Sequence, residues 1–139
     1  MIDRILQGKS RSITRCIERV RQEYVGHEAE FDTDWTRQDA AVLNLVRACE
    51  QAIDMANRMT LLRDLPLADS SGDTFLELGR SGLISKDLAL SMKSMVGFGN
   101  IAVHEYQELD LTKVRAIIEH RLDALAAFAK AMLAADPTG

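Results

Sequence analysis

Apolar residues recur at spacings of three and four along most of this chain, and nowhere do they alternate one-in-two. That rhythm is the strongest constraint on the fold. It lines side chains along one stripe of a helix and leaves no segment that reads as a half-buried strand. The first stripe is Ile2, Ile5, Leu6, Ile13, Cys16, Ile17, Val20 and Tyr24, which predicts a helix from about Ile2 to Tyr24, broken by Gly26. The second predicts a helix from about Trp35 to Leu62. Ala41, Leu45, Ala48, Cys49, Ala52, Ile53, Ala56 and Met59 lie on one face, and Asp34 or Thr33 is the candidate cap. At 1.5 Å per residue such a helix spans roughly 40 Å, long enough to present part of its length to a second subunit.

Turn chemistry divides the rest. Leu65 to Gly72 is the main loop, with Ser71 expected to cap a short helix from Asp73 to Arg80 and Gly82 free to take the left-handed conformation that ends it. Ser85 caps a fourth helix, Asp87 complements the dipole in its first turn, and Leu88, Met92, Met95 and Val96 form its stripe. Asp110 opens a fifth helix with Val114, Ile117, Ile118, Leu122, Leu125, Phe128, Ala129 and Met132 facing inward, and Asp136 to Gly139 reads as a frayed end. The expectation is an all-α, up-and-down helical bundle of four long helices plus one short one. It forms a single domain over 1–135, with a disordered tail over 136–139.

The formal net charge of −4 argues against a protein that coats nucleic acid through a broad basic face, although it leaves room for a small basic cleft. No apolar run approaches the 18 or so residues of a membrane span, and the start of the chain lacks a signal-peptide core, so a cytoplasmic location is expected. Cys16 and Cys49 fall on apolar helical stripes and read as buried, reduced thiols. His27, His104 and His120 have no metal-site spacing, and no phosphate-binding glycine loop or serine elbow occurs. No metal and no cofactor are expected.

His104 stands apart by its place. It falls at the C-terminal end of the fourth helix, where the negative end of the dipole favours a protonated imidazole, and a His titrating near neutrality passes protons both ways. Metal-free RNA cleavage needs such a group. A base takes the proton of the 2′-hydroxyl, whose oxygen attacks the adjacent phosphorus. An acid protonates the leaving oxygen, and a cation, best an Arg, holds the extra charge of the phosphorane. On spacing alone His104 reads more readily as a residue that merely caps the helix than as a site. Asn100, one turn earlier, reads either as a polar neighbour in a cleft or as a helix-end hydrogen bonder. His120 reads as solvent-facing.

The segment Met95-Val-Gly-Phe98 with Asn100-Ile-Ala-Val-His104-Glu-Tyr106 resembles the active segment of HEPN-domain toxins of the HepT type, in which an Arg is followed after four to six residues by His-X-Tyr. Gln38 to Asn57 resembles that family's second helix, Ser70-Ser71-Gly-Asp73-Thr-Phe75 the opening of its third, Gly82-Leu-Ile-Ser85 the turn into its fourth, and Val114 to His120 its last. The likeness thus covers nearly the whole chain. It implies the HEPN fold, a homodimer whose two subunits share a cleft, and a metal-independent ribonuclease with His104 as its proton carrier. It also implies a cognate antitoxin, a minimal nucleotidyltransferase that transfers AMP to the motif tyrosine, here Tyr106. AMP would place bulk and negative charge where RNA phosphates sit.

The chain departs from the pattern at Gly99, which stands where the motif has Arg. Losing a phosphate-stabilising Arg commonly costs about 10²-fold or more in rate, so this copy is expected to be impaired. Gly99 reads first as a substitution made to silence the protein and second as a natural variant; Gly72, where the likeness leads one to expect Arg, weakens the first reading. The alternative function is a non-catalytic helical module that binds a nucleotide or substrate for a partner nucleotidyltransferase.

Overall fold

The computed structural model of the chain describes residues 1–104 and 110–139; residues 105–109, and the side chains of 100–104, lie outside the description. Six helices occupy the described residues: α1 (Arg4–Tyr24), α2 (Trp35–Leu62), α3 (Ser71–Arg80), α4 (Lys86–His104), α5 (Leu111–His120) and α6 (Leu122–Ala134). No strand occurs among them. None of these helices is long and apolar enough to cross a membrane.

Local chemistry sets the boundaries. The Asp3 carboxylate accepts from Leu6 N–H, Asp34 from Arg37 N–H, Ser70 from Asp73 N–H and Asp110 from Thr112 N–H, each serving a donor that the helix leaves unpaired. Ser85 Oγ does the same for Leu88 N–H at 3.1 Å. Ser70 rather than Ser71 caps α3, so that helix starts two residues earlier than its periodicity indicated. Gly82 takes φ +80° after α3, the left-handed turn expected of it.

The core is one continuous cluster, in which Leu6, Ile13 and Val20 of α1 pack with Leu45, Met55 and Met59 of α2 and with Met92 and Phe128. Phe75 and Phe128 meet edge to face, ring centroids 5.1 Å apart. Ile2 and Ile5, expected on the α1 stripe, are about half exposed; burial begins at Leu6. The expected fifth helix is two. Its backbone leaves helical geometry at Arg121 (φ −120°, ψ −11°) and resumes at Leu122. The apolar stripe runs unbroken across that point, so spacing alone could not reveal the break. Beyond it, α6 packs on α1, α2 and α4 and buries five side chains, whereas α5 buries only Val114 and Ile118.

Three glycines let neighbours close on α3 and α4. A Cβ on Gly79 would stand 3.0 Å from the Ala89 methyl, and one on Gly72 would stand 3.0 Å from the Lys93 stem. The third fixes how α4 crosses α2. Gly99 is buried, in line with Met92, Met95 and Val96, and its missing Cβ would stand 3.3 Å from Cys49 Cβ and 3.8 Å from Cys49 Sγ. Cys49 Sγ also donates to the Met95 carbonyl at 3.5 Å.

The two ends of the chain are tied together. Arg58 of α2 grips the Asp3 carboxylate, its Nη2 reaching Oδ2 at 2.6 Å, and the Asp136 carboxylate accepts from Asp3 N–H at 2.7 Å and from Thr138 N–H and Oγ1. Residues 136–139, expected to fray, are thus drawn back onto the start of α1, and Asp136 is buried. The Arg58 guanidinium holds the Asp3 carboxyl below the usual carboxylate range, and the Thr138 hydroxyl and Asp3 N–H do the same for Asp136.

Two outcomes follow from these contacts. A carboxyl with a depressed folded pKa contributes stability that is fully present above its unfolded value of about 3.9 and lost as pH falls through the folded value. Melting temperature is therefore expected to hold from pH 7 to about 5 and to fall below about 4, and Arg58→Met to lower the plateau while flattening that fall; scanning calorimetry across pH measures both. For Gly99→Ala, a helix-propensity gain of about 1 kcal/mol meets crowding at Cys49. The net change in urea unfolding is expected to stay within about 1 kcal/mol, and a much larger loss would show that the crossing cannot yield.

Candidate active site

The sequence candidates cluster at the end of α4, and the backbone places them on different sides of it. His104 is the last described residue of α4. Gly99 lies five residues earlier, which is about 140° away around a regular helix, and belongs to the buried face against Cys49. Position 104 instead falls two turns after Gly97, which is half-buried and has open space where a Cβ would be. Asn100 lies one turn before position 104 on the same side of the helix. The side chains of Asn100 and His104 lie outside the described part of the structure, and Tyr106 lies outside the described residues altogether.

Position 99 is therefore no open rim. An Arg placed there would begin its side chain inside the α2–α4 crossing, where the Cys49 methylene must give by a few tenths of an ångström. Its guanidinium would have to travel around the helix to approach position 104. Cys49 itself offers no nucleophile. It is 2% exposed, and burial pushes its thiol up to about 12, so it stays protonated at neutral pH. Cys16 is a buried free thiol as well, its pKa raised by the same cause. Among the described residues no group of His, Cys, Asp and Glu could hold a metal ion. His120 is exposed at the end of α5, and His27 pairs with Glu30 at 2.9 Å in the loop after α1.

Beyond the undescribed segment the chain resumes at Asp110, which caps α5. One turn into α5, Arg115 reaches back to the junction of α1 and α2. Its Nε donates to Asp32 at 2.9 Å, its Nη1 to the Tyr24 hydroxyl at 3.0 Å and its Nη2 to the Glu28 carbonyl at 2.8 Å. The guanidinium also lies 5.6 Å from the Tyr24 ring centroid and 5.5 Å from that of Phe31, and those rings meet edge to face. Tyr24 in turn donates its hydroxyl to Glu119, one turn further along α5. Burial and the Glu119 carboxylate both push the Tyr24 phenol above its ordinary pKa. Sequence reasoning missed this cluster. Phe31 sits in an acidic stretch that shows no periodicity, and Arg115 lies more than 80 residues from each of its hydrogen-bond partners.

Known proteins share this architecture. The family model described as "Ribonuclease HepT-like" matches residues 13–132. Over 119 residues the chain is 43% identical to the mRNA nuclease HepT of Shewanella oneidensis, a match that covers 86% of this chain and 89% of that protein. It superposes on the tri-AMPylated HEPN toxin of Shewanella oneidensis, solved in complex with its MNT antitoxin. The TM-score is 0.90 at 40% identity, over 96% of this chain and 99% of that one. A second match, to a toxin–antitoxin complex with AMP-PNP, has a TM-score of 0.88 at 38% identity, over 94% of this chain and 99% of that chain. With its helix order and this extent of identity, the chain belongs to the HepT-like ribonuclease family of HEPN toxins.

Proposed function

We propose that this chain is the ribonuclease toxin of a toxin–antitoxin pair, that it acts on RNA in the cytoplasm without a metal, and that a minimal nucleotidyltransferase neutralises it by adding AMP to Tyr106. What supports the reading is a chain that aligns along almost its whole length with a nuclease of that kind, with His104 carried on α4. In the proposed reaction the His104 imidazole moves the proton of the 2′-hydroxyl while that oxygen attacks phosphorus, and the 5′-oxygen leaves with a proton supplied by the second imidazole of a homodimer. Asn100 is assigned to the same cleft as a hydrogen-bond donor to phosphate.

Charge on the phosphorane is the weak point. Position 99 supplies no guanidinium, and the side-chain cations at the α1–α2 junction are already engaged: Arg37 with Glu23 and Asp34, Arg115 with Asp32. Cleavage by the chain as it stands is therefore slow. Gly99→Arg is expected to raise the rate on a single-stranded RNA about 10²-fold and to arrest growth on expression, and His104→Ala in that background to remove both effects. If the Gly99→Arg protein leaves RNA intact while nucleotides bind saturably, the chain is a binding module instead.

Modification is tested separately. Co-expression with the partner nucleotidyltransferase is expected to add the mass of one or more adenylates, and Tyr106→Phe to abolish the addition. An unchanged mass with an active enzyme and ATP present would remove AMP transfer from the account.

A further inference from the structure

Positive charge is spread unevenly over this acidic chain. α1 holds six of its 17 Lys and Arg but only two of its 21 Asp and Glu, Glu18 and Glu23. Three of those six, Arg4, Arg11 and Arg15, are exposed and make no ion pair with any described residue. At 1.5 Å and 100° per residue they fall within about 40° of one another around the helix, along roughly 16 Å of its length. Gly8 lies between the first two, and open space stands where its Cβ would be. α2 adds a fourth guanidinium. It runs antiparallel beside α1, with Asp54 on Lys9 at 2.9 Å, Arg58 on Asp3 and Arg37 on Glu23, a register that brings Arg47 alongside Cys16. Burial raises the Cys16 thiol, and the Arg47 and Arg15 charges both act on it in the opposite sense. Arg47 too is exposed, with no ion pair to a described residue. The carboxylates nearby leave the group unneutralised. Asp3 and Asp54 are engaged by Arg58 and Lys9, and Glu18 and Glu50, three residues beyond Arg15 and Arg47, form no ion pair with them.

The geometry points to this ridge of Arg4, Arg11, Arg15 and Arg47 as a docking surface for the phosphate backbone of a single-stranded RNA, holding nucleotides other than those that react. That the strand is the substrate rests on the ribonuclease reading above; that the ridge binds RNA does not. All four cations are guanidiniums, whose planar fork matches the paired oxygens of a phosphate. A polyanion meets a row of cations one contact after another, and each contact releases condensed counterions. The acidic loop before α2, with Glu28, Glu30, Asp32 and Asp34, repels the same strand, so the ridge offers attraction that the loop does not. The exposed neighbours on that face of α1, Gln7, Glu18 and Gln22, are polar and provide none of the aromatic anchors that centre a protein interface.

The experiment measures, by fluorescence anisotropy across a range of salt, how the whole chain binds a labelled 2′-O-methyl RNA of mixed sequence, which has no 2′-hydroxyl to attack. Arg11→Gln with Arg15→Gln is expected to weaken binding about tenfold at low salt and to lower the slope of log K against log salt by about 1.4, the loss of two phosphate contacts. Arg11→Lys with Arg15→Lys is expected to keep most of the affinity. Arg47→Gln, on the other helix, is expected to lower the slope by about 0.7 by itself. Lys86→Gln with Lys130→Gln is the control. It removes the same charge from exposed side chains of α4 and α6 and is expected to leave the slope unchanged.

Equal losses in the ridge and control variants, an unchanged slope, or a parent chain that binds no RNA overturns the proposal. So does a ridge variant that binds RNA normally but no longer associates with the partner nucleotidyltransferase, which would make the ridge a protein surface. A second arm reads cleavage of ordinary RNA in the Gly99→Arg background. There the Arg11→Gln, Arg15→Gln pair is expected to raise KM about tenfold rather than lower kcat. A Gly99→Arg protein that cleaves no RNA, while the ridge pair still weakens binding, would keep the docking surface and sink the ribonuclease reading.

Discussion

The crossing of α2 and α4 at Cys49 and Gly99 is the constraint on which the rest of this site depends. Helices pack at 8–10 Å according to the side chains between them, and a glycine at the contact draws the axes together. Here the approach is close enough for the Cys49 thiol to reach the Met95 carbonyl, which the helix already uses for its own ladder. The crossing at Gly99 lies five residues before His104, the last described residue of α4. The same close approach makes position 99 awkward as a source of cations. The residue that the motif would use to reach phosphate begins on the buried side of the helix, so its charged end must be led out past the packed one.

Much of this fold could be read from the chain because helix caps and stripes are local. The Trp35–Leu62 helix has the predicted bounds, and Asp34, Ser85 and Asp110 cap where side-chain chemistry said they should. What failed was non-local or aperiodic. Phe31 is fully buried within a run of acidic residues, where no periodic pattern marks it. The break at Arg121 interrupts the backbone but not the stripe, because α5 and α6 keep one apolar face while answering to different neighbours. The tying of residues 136–139 to Met1 and Asp3 joins positions more than 130 residues apart through polar atoms, which no hydropathy pattern reports. Of the site, the chain disclosed residue types and their spacing. It could not disclose that Gly99 lies on the face of α4 that α2 covers.

The two guanidinium clamps divide the work of holding a bundle whose ends are loosely packed. Arg58 secures the start of α1 through the Asp3 carboxylate, and the Asp136 carboxylate draws the end of the chain onto Asp3 N–H. Arg115 secures α5 through one carboxylate, one carbonyl and one phenol, and adds ring contacts that Arg58 lacks. The difference suits their positions. A terminus needs only to be kept from fraying, whereas α5, which buries only Val114 and Ile118, must be held in angle as well as in place, and planar contacts in several directions restrain angle.

Charge completes the picture. The loop between α1 and α2 carries Glu28, Glu30, Asp32 and Asp34, the chain as a whole is acidic, and Arg37 and Arg115 at this junction are already paired. A polyanion approaching it meets carboxylates with few uncommitted cations to offset them, and at physiological salt such fields act over about 8 Å. In a chain of net charge −4, a single guanidinium at position 99 would weigh more than it would in a basic enzyme, because no broad basic field can stand in for it. The same reasoning explains why adenylates on Tyr106 would be an effective block. Each added phosphate deepens a negative potential that the substrate must already overcome, so a modest covalent change would tip binding without altering the helices that carry the imidazole.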